Sequence, residues 1–509
     1  MSIGRSQAVT LSGLDGAMIG VEAHTANGLP AFKLVGLPDA SLSEARDRVR
    51  AAIESCGITF PRRRITVGLN PADVPKAGSV FDVAIAIAIL RAERLVRLDE
   101  ELVFIGELGL DGRIHPVRGV LPIVSAAVKA GFSRILVPRA NAAEASLIPR
   151  ADIEGVTHLA EVVHHLGGLA EPPDLPRQAP PEGNSDPLPA ADPPDLADLI
   201  GQHEARAALE VAAAGGHHVY LTGPPGVGKT MLAARLPGIL PDLRTREAIT
   251  VTSVHSVAGT LNGSGLIRRP PFEAPHHSAT MAALIGGGSG MPRPGAASRA
   301  HLGVLFLDEC PEFSPRVLDA LRQPLEEGEV KIHRSYGVAT YPARFQLILA
   351  ANPCPCGKGS GKGLECTCTA QRRRRYQNRL SGPLLDRIDI RVEVERVRGT
   401  RETHAEPSRV VRSRVEAAQA RARRRLRHTP WRLNAHVPGA WYRHHTRHHA
   451  PNLLQTLEAY MNEGRMSLRG IDRALRLAWT LADLAEQHVP TEDDLAMAVT
   501  LRSGGDHGL

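Results

Sequence analysis

The sequence predicts an α/β core, followed by a helical region and preceded by a separate α+β domain. Three observations lead there. A Gly-rich loop joins an apolar strand to a helix, a later apolar strand ends in two adjacent carboxylates, and a Pro-rich stretch divides the chain. At 509 residues the chain is too long for one hydrophobic core. Its 43% apolar content is ordinary for soluble protein. The longest apolar run, residues 80–90, is interrupted by Asp82 and is too short to cross a bilayer, so no membrane role is expected. Residues 1–20 lack the basic-then-apolar pattern of a secretory leader, and a cytoplasmic location is expected. Six cysteines in so long a chain make no disulfide framework. The net charge of +7 is mild for this length, so the placement of the arginines says more than their number.

Residues 171–198 are dense in proline and poor in large apolar side chains. Such a stretch cannot bury enough surface to fold and reads as a linker. The expected division is an N-terminal domain over 1–168, a linker over 169–195, an α/β core over 196–400 and a helical lid over 401–509. In the first part, residues 9–11, 18–21, 64–69, 102–106 and 135–137 read as strands, and 42–55, 82–92 and 121–130 as helices. After the linker, 204–214 reads as a helix, 219–221, 304–307 and 345–350 as buried strands, and the chain from Pro407 onward as almost wholly helical.

The loop Gly223, Pro224, Pro225, Gly226, Val227, Gly228, Lys229, Thr230 fits G-x-x-x-x-G-K-[ST] in full and has the strand and helix that the motif needs. Its glycines let backbone N–H groups and a helix N-terminus face the phosphates of ATP. Lys229 is expected to reach the β- and γ-phosphates, and Thr230 to hold Mg²⁺. The strand VLFL at 304–307 ends in Asp308, expected to support Mg²⁺, and Glu309, expected to polarise the attacking water. Asn352 ends the next apolar strand, where it could align that water or simply form a turn before Pro353.

Residues from about 199 onward resemble the magnesium-chelatase-like branch of AAA+ ATPases, and within it the YifB/ComM family, whose ComM branch is a competence-linked DNA helicase. The stretches that carry this are PFEAPHH (271–277), GVLFLDE (303–309), PLEEGE (324–329), YPARF (341–345), ANPCPCG (351–357) and LLDRID (384–389). The resemblance implies that Asn352 is the sensor-one residue, Arg387 the arginine finger offered to a neighbouring subunit, and Arg469, in SLRGIDR (467–473), the sensor-two arginine. A guanidinium in a water-poor site stabilises charge on the γ-phosphoryl oxygens. A finger supplied to a neighbour implies a ring, and the family implies a hexamer.

The alternation over residues 329–341 reads as a β-hairpin, which the resemblance places at a central pore, with Lys331, His333 and Arg334 near its tip. His276 and His277 lie in a Gly-rich insertion, residues 259–301, either as pore contacts or as packed structural histidines. Cys354, Cys356, Cys366 and Cys368 could surround a structural Zn²⁺, or be free thiols on a flexible, redox-labile loop. Arg372, Arg373, Arg374 and Arg375 follow at once, as a DNA-facing element or a solvated face. Trp431, Trp441 and Tyr442, interleaved with arginines, suit a packed lid before a base-stacking surface.

Residues 1–168 resemble the proteolytic domain of Lon-type proteases, a fold shared with the recombination ATPase RadA, through VPKAG (74–78), GELGLDGR (106–113) and residues 130–138. Where that family carries its catalytic Ser and Lys, this chain has Val80 and Leu121, which can act neither as nucleophile nor as base. A domain for assembly or DNA contact is expected instead. The leading expectation is a ring-forming DNA motor for helicase or branch-migration work, linked to transformation and recombination, with recombination proteins as possible partners. A protein unfoldase is second, and a magnesium-chelatase motor subunit third.

Overall fold

The computed structural model describes residues 2–36, 44–76, 78–97, 101–171, 173, 193–261, 265–288, 292–334, 337–359, 366–396, 405–464 and 466–504. Most of the expected Pro-rich linker lies outside these.

The N-terminal part is built on one sheet. Its strands are β1 (Ser2–Ser12), β2 (Asp15–Ala26), β3 (Ala31–Val35), β4 (Arg64–Asn70) and β5 (Leu102–Phe104), then, beyond a two-residue-strand hairpin of β6 (Glu107–Leu108) and β7 (Ile114–His115), β8 (Arg134–Pro138) and β9 (Asp152–Val156). The order is β3-β4-β2-β1-β5-β8-β9. β1, β2 and β4 run antiparallel in turn, while β3 parallels β4 and β5, β8 and β9 parallel β1. The sheet is therefore mixed. The helix Asp82–Ala92 is apolar almost all round and buried, as a helix inside a core must be. It lies so close to β1 that a Cβ on Gly4 would sit 2.0 Å from the Ala88 carbonyl oxygen.

The second sheet comprises β10 (Val219–Thr222), β11 (Phe272–Glu273), β14 (Val304–Leu307), β17 (Gln346–Ala351) and β18 (Ile390–Glu393), in the order β11-β14-β17-β10-β18. All neighbours are parallel. Two short hairpins accompany it: β12 (Gly286–Gly287) with β13 (Arg293–Pro294), and β15 (Glu329–Arg334) with β16 (Gly337–Pro342). In a parallel sheet the loops leaving the carboxyl ends of the strands share one edge, where ligands bind. Here those loops follow β10, β14 and β17.

From Ser408 onward the described chain is helical: Ser408–Arg425, Gly439–His449, Pro451–Asn462, Leu468–Leu484 and Glu492–Ser503. Their apolar faces form one core with the face of the sheet carrying Val219, Leu221 and Ile390. A second core joins the opposite face, with Leu305, Leu347 and Leu349, to Leu11, Leu121 and Val124 of the N-terminal part. The two sheets are thus bound through shared apolar packing. Among the described residues no helix is long and apolar enough to cross a membrane.

Candidate nucleotide site and its surroundings

The loop after β10 turns through Gly226 (φ 79°) and Gly228 (φ 93°), both in the left-handed region that glycine tolerates. Gly228 is the N-cap of the helix Lys229–Ile239. Lys229 Nζ donates to the carbonyls of Gly223 (2.7 Å) and Pro224 (2.9 Å) and to Asn352 Oδ1 (3.1 Å). Burial pulls its pKa below the usual lysine value, against the opposing charges of Asp308 and Glu309. Thr230 Oγ1 donates to Asp308 Oδ2 at 2.7 Å, and Asp308 Oδ1 accepts the Glu309 N–H at 2.9 Å. A hydroxyl and a carboxylate converging beside a phosphate-binding loop form the oxygen set that Mg²⁺ takes. Glu309 has φ 47°, a left-handed conformation costly for a residue with a side chain, and its carboxylate is half exposed.

The structure thus brings Lys229, Thr230, Asp308, Glu309 and Asn352 together at the carboxyl edge of the sheet. It adds His277, whose Nδ1 lies 3.6 Å from Glu309 Oε2. The cause is register. Glu273 of β11 pairs with Leu305 of β14, so the chains leaving the two strands carry His277 and Glu309 forward side by side. Arg299 anchors the start of this segment through two hydrogen bonds to Glu273, at 3.0 and 2.7 Å.

Arg387 and Arg469 lie elsewhere. Both line a cleft of about 2090 Å³, none of whose lining residues belongs to the loop 223–230. Arg387 pairs with Glu326, and Arg469 Nη1 reaches Asp386 Oδ2 at 3.4 Å with its side chain 80% exposed. Burial, then the charges of Arg322, Arg473 and Arg469, lower the Arg387 pKa from the ordinary value. Beneath the two arginines lies a buried network that sequence reasoning missed. Asp389 accepts from His217 Nδ1 (3.0 Å) and Arg473 Nη1 (2.8 Å), and His217 Nε2 lies 2.8 Å from Thr480 Oγ1.

The four cysteines converge. Their sulfurs all lie within 4.8 Å of one another, with Cys354–Cys356 at 3.3 Å, Cys354–Cys366 at 3.6 Å and Cys356–Cys366 at 3.7 Å. A disulfide would need about 2.05 Å, whereas four sulfurs about 2.3 Å from one tetrahedral ion stand about 3.8 Å apart. The Lys358 backbone N–H first, then Cys354, pull the Cys356 thiol down to about 6, while burial pushes Cys354 up to about 11. Gly359 packs on the cluster, where a Cβ would lie 3.0 Å from Cys354 Sγ. Part of the loop between the two cysteine pairs lies outside the described residues.

Arg372–Arg375 are exposed on the helix Ala370–Gln377, which Thr369 caps. In the hairpin, Lys331 is engaged by Glu327 (3.3 Å) and Glu329 (2.8 Å). The hairpin's turn, Ser335 and Tyr336, lies outside the described residues. Tyr442 is fully buried, its hydroxyl donating to Asn434, and Trp441 stacks on His445 at 4.5 Å, so these aromatics pack. In the N-terminal part Leu121 is fully buried and Val80 packs against the core. The Ser79 hydroxyl donates to Glu107.

A parallel five-stranded sheet with a phosphate loop, an Asp-Glu strand end and a polar residue closing the neighbouring strand defines the P-loop nucleotide-binding class. Residues 195–402 match the family "Magnesium chelatase, subunit ChlI", residues 21–141 "Subunit ChlI of Mg-chelatase" and residues 405–502 "Magnesium chelatase, subunit ChlI C-terminal". The chain is 50% identical over 510 residues to an uncharacterized protein of Mycobacterium tuberculosis, covering 99% of each. It is 40% identical over 499 residues to YifB of Salmonella typhimurium (96% of this chain, 95% of YifB) and 40% identical over 498 residues to the competence protein ComM of Haemophilus influenzae (96% of each). A shorter match, 32% over 154 residues and 28% of this chain, is to Lon protease 2 of Bacillus subtilis. The chain belongs to the YifB/ComM family of magnesium-chelatase-like AAA+ proteins.

Proposed function

We propose that the protein is a ring-forming, ATP-hydrolysing motor that moves DNA, as a helicase or branch-migration enzyme of the cytoplasm. The observation that supports this best is the single cluster of Lys229, Thr230, Asp308, Glu309 and Asn352, held beside the four-arginine helix. Lys229 and the backbone of 223–228 would hold the phosphates of ATP. Thr230 and Asp308 would hold Mg²⁺, which neutralises phosphate charge when bound. Glu309 would take the proton from the attacking water, with Asn352 orienting it. Arg387, which lines a cleft that does not include its own phosphate loop, would be the arginine finger for the next subunit's site, and Arg469 the sensor-two arginine of the lid. A finger given to a neighbour supports a ring, with six subunits as in the family. The cysteine cluster would hold a structural Zn²⁺. The division into a Lon-like domain, linker, AAA+ core and helical lid is part of the same reading, and a role in recombination would follow from the likeness to ComM.

The partial likeness to a Lon protease favours a second reading, a remodeller of protein clients. Steady-state ATPase measured with and without DNA separates the two, with Lys229→Ala as the blank. Stimulation by branched or single-stranded DNA that fades with added salt is expected, because bound phosphates release counterions. Assembled rings that no form of DNA stimulates would overturn the DNA reading.

A further inference from the structure

The loop of the cysteine cluster touches the nucleotide site at two points. Cys354 lies two residues beyond Asn352, which holds Lys229 Nζ at 3.1 Å. Gly357, whose N–H donates to the Cys354 carbonyl at 2.9 Å, sits against the phosphate loop itself: a Cβ there would lie 2.7 Å from Cδ and 3.0 Å from Cγ of Pro225. Gly357 has φ 75°, so only glycine fits both the turn and the contact without strain.

After Cys366 and Cys368 the chain enters the helix Ala370–Gln377 directly. The four exposed arginines are consecutive and so run round most of this helix, while Tyr376 is its one buried side chain, 6% exposed. Burial first, then the charge of Glu312, push the Tyr376 hydroxyl above the usual tyrosine range, and a hydrogen bond from the Asn352 backbone opposes them. Just past the helix, Arg379 Nη1 donates to the Pro311 carbonyl (3.1 Å) and to Glu312 Oε2 (2.8 Å), tying its end to the turn that follows Glu309. The Arg-rich helix is therefore tied at its end to the chain following Glu309, carries the buried Tyr376 beside Asn352, and has its preceding loop against Pro225.

We propose that the four cysteines bind one Zn²⁺-class ion, and that this knuckle and the helix Ala370–Gln377 form a coupling element through which a phosphate backbone held by Arg372–Arg375 adjusts the nucleotide site. The ion is the staple of the device. It makes the turn at Gly357 and the start of the helix one body, so a shift of the helix reaches Pro225 and Asn352 together. Tyr376 is a positioning residue, acting through Asn352. This rests on the DNA-motor reading, because it names the surface by which DNA would be felt.

The experiment uses the full chain, with metal content by elemental analysis, DNA affinity by anisotropy of a labelled branched duplex, and ATPase at zero and saturating DNA. One bound zinc per chain is expected, and Cys356→Ser with Cys366→Ser should lose it. Tyr376→Phe keeps the ring and removes the hydroxyl. It should leave DNA affinity within about twofold while lowering the ratio of stimulated to basal ATPase by about 2- to 30-fold, the range of coupling changes made along such a network. Changing Arg372–Arg375 to Gln should lower affinity and stimulation together. A folded wild type with no bound metal, or a stimulation ratio unmoved by both Tyr376→Phe and loss of the ion while wild type is stimulated, would overturn the coupling and leave the motor reading standing. Failure of DNA to stimulate wild type at all would overturn both.

Discussion

Asp389→Asn is expected to loosen the C-terminal helices and misplace two arginines at once. The Asp389 carboxylate is 4% exposed and accepts from His217 and Arg473 at 3.0 and 2.8 Å. Burial alone would raise its pKa, but the His217 hydrogen bond and the charges of His217, Arg473 and Arg476 outweigh it, holding the carboxyl below the usual range. Asparagine keeps the shape and removes the charge, so Arg473, 13% exposed, is left without its counter-ion. Breaking a buried pair from one side costs about 3–5 kcal/mol. At about 2–4 °C per kcal/mol for a domain of this size, the melting temperature should fall by roughly 6–20 °C. Arg473 stands one helical turn after Arg469, and Asp389 two residues after Arg387, so ATP turnover should fall as well. Arg473→Met alone should cost a similar amount. The double variant should cost clearly less than the sum, because each change removes the charge that the other leaves orphaned. The sign with pH follows from the depressed pKa: this stability is present above about pH 4 and is lost as pH falls through the lower folded value. Asp389→Asn should therefore weaken the acid limb of the stability profile. Urea titrations from pH 3 to 8 test this. A single-variant cost under about 1 kcal/mol, or strict additivity, would refute the reasoning.

Glu309→Gln should lower kcat by about 10²- to 10⁴-fold, the usual weight of a positioned base, with nucleotide binding retained, as fluorescent-nucleotide titration beside an ATPase assay would show. Arg387→Ala should lower turnover by about 10³-fold or more. Mixing it with Lys229→Ala should recover part of the activity, because one subunit supplies the arginine and the other the phosphate loop; no recovery in mixed rings would place the arginine in its own subunit's site.

The nucleotide site was the most legible part of the chain because local geometry dictates it. A loop that turns through left-handed backbone at 226 and 228 needs glycine there, and short buried strands read as apolar runs. The strand β3, with alternating exposed residues at a sheet edge, and the two-residue strands β6, β7 and β11 carry too little pattern to be read. His277 could not be assigned for the same reason, since its contact with Glu309 depends on the register of β11. The Asp389 network escaped notice because its partners are 172 and 84 residues apart in sequence and meet only through tertiary packing. Arg387 and Arg469 were chosen by resemblance alone. Their shared placement, away from the loop that holds Lys229, comes from Asp386 and the cleft, which no single motif encodes.

The N-terminal part also bears on the hairpin β15–β16. The turn between β1 and β2 grips the hairpin: Ser12 Oγ donates to the Val338 carbonyl at 3.0 Å, and Gly13, at φ 67°, lies so close that a Cβ would meet the Thr340 carbonyl oxygen at 2.2 Å. Alanine at 13 incurs two costs, about 1–2 kcal/mol for the left-handed backbone and the contact itself, which backbone cannot yield cheaply. Gly131 separates the two, since its φ is +96° and nothing lies within 4 Å of its missing Cβ. Gly131→Ala should cost stability alone. Gly13→Ala should in addition free the hairpin, raising hydrogen exchange over residues 329–342 by roughly 5- to 30-fold, the equivalent of 1–2 kcal/mol. Equal exchange in the two variants would mean that the turn rests on the hairpin without restraining it.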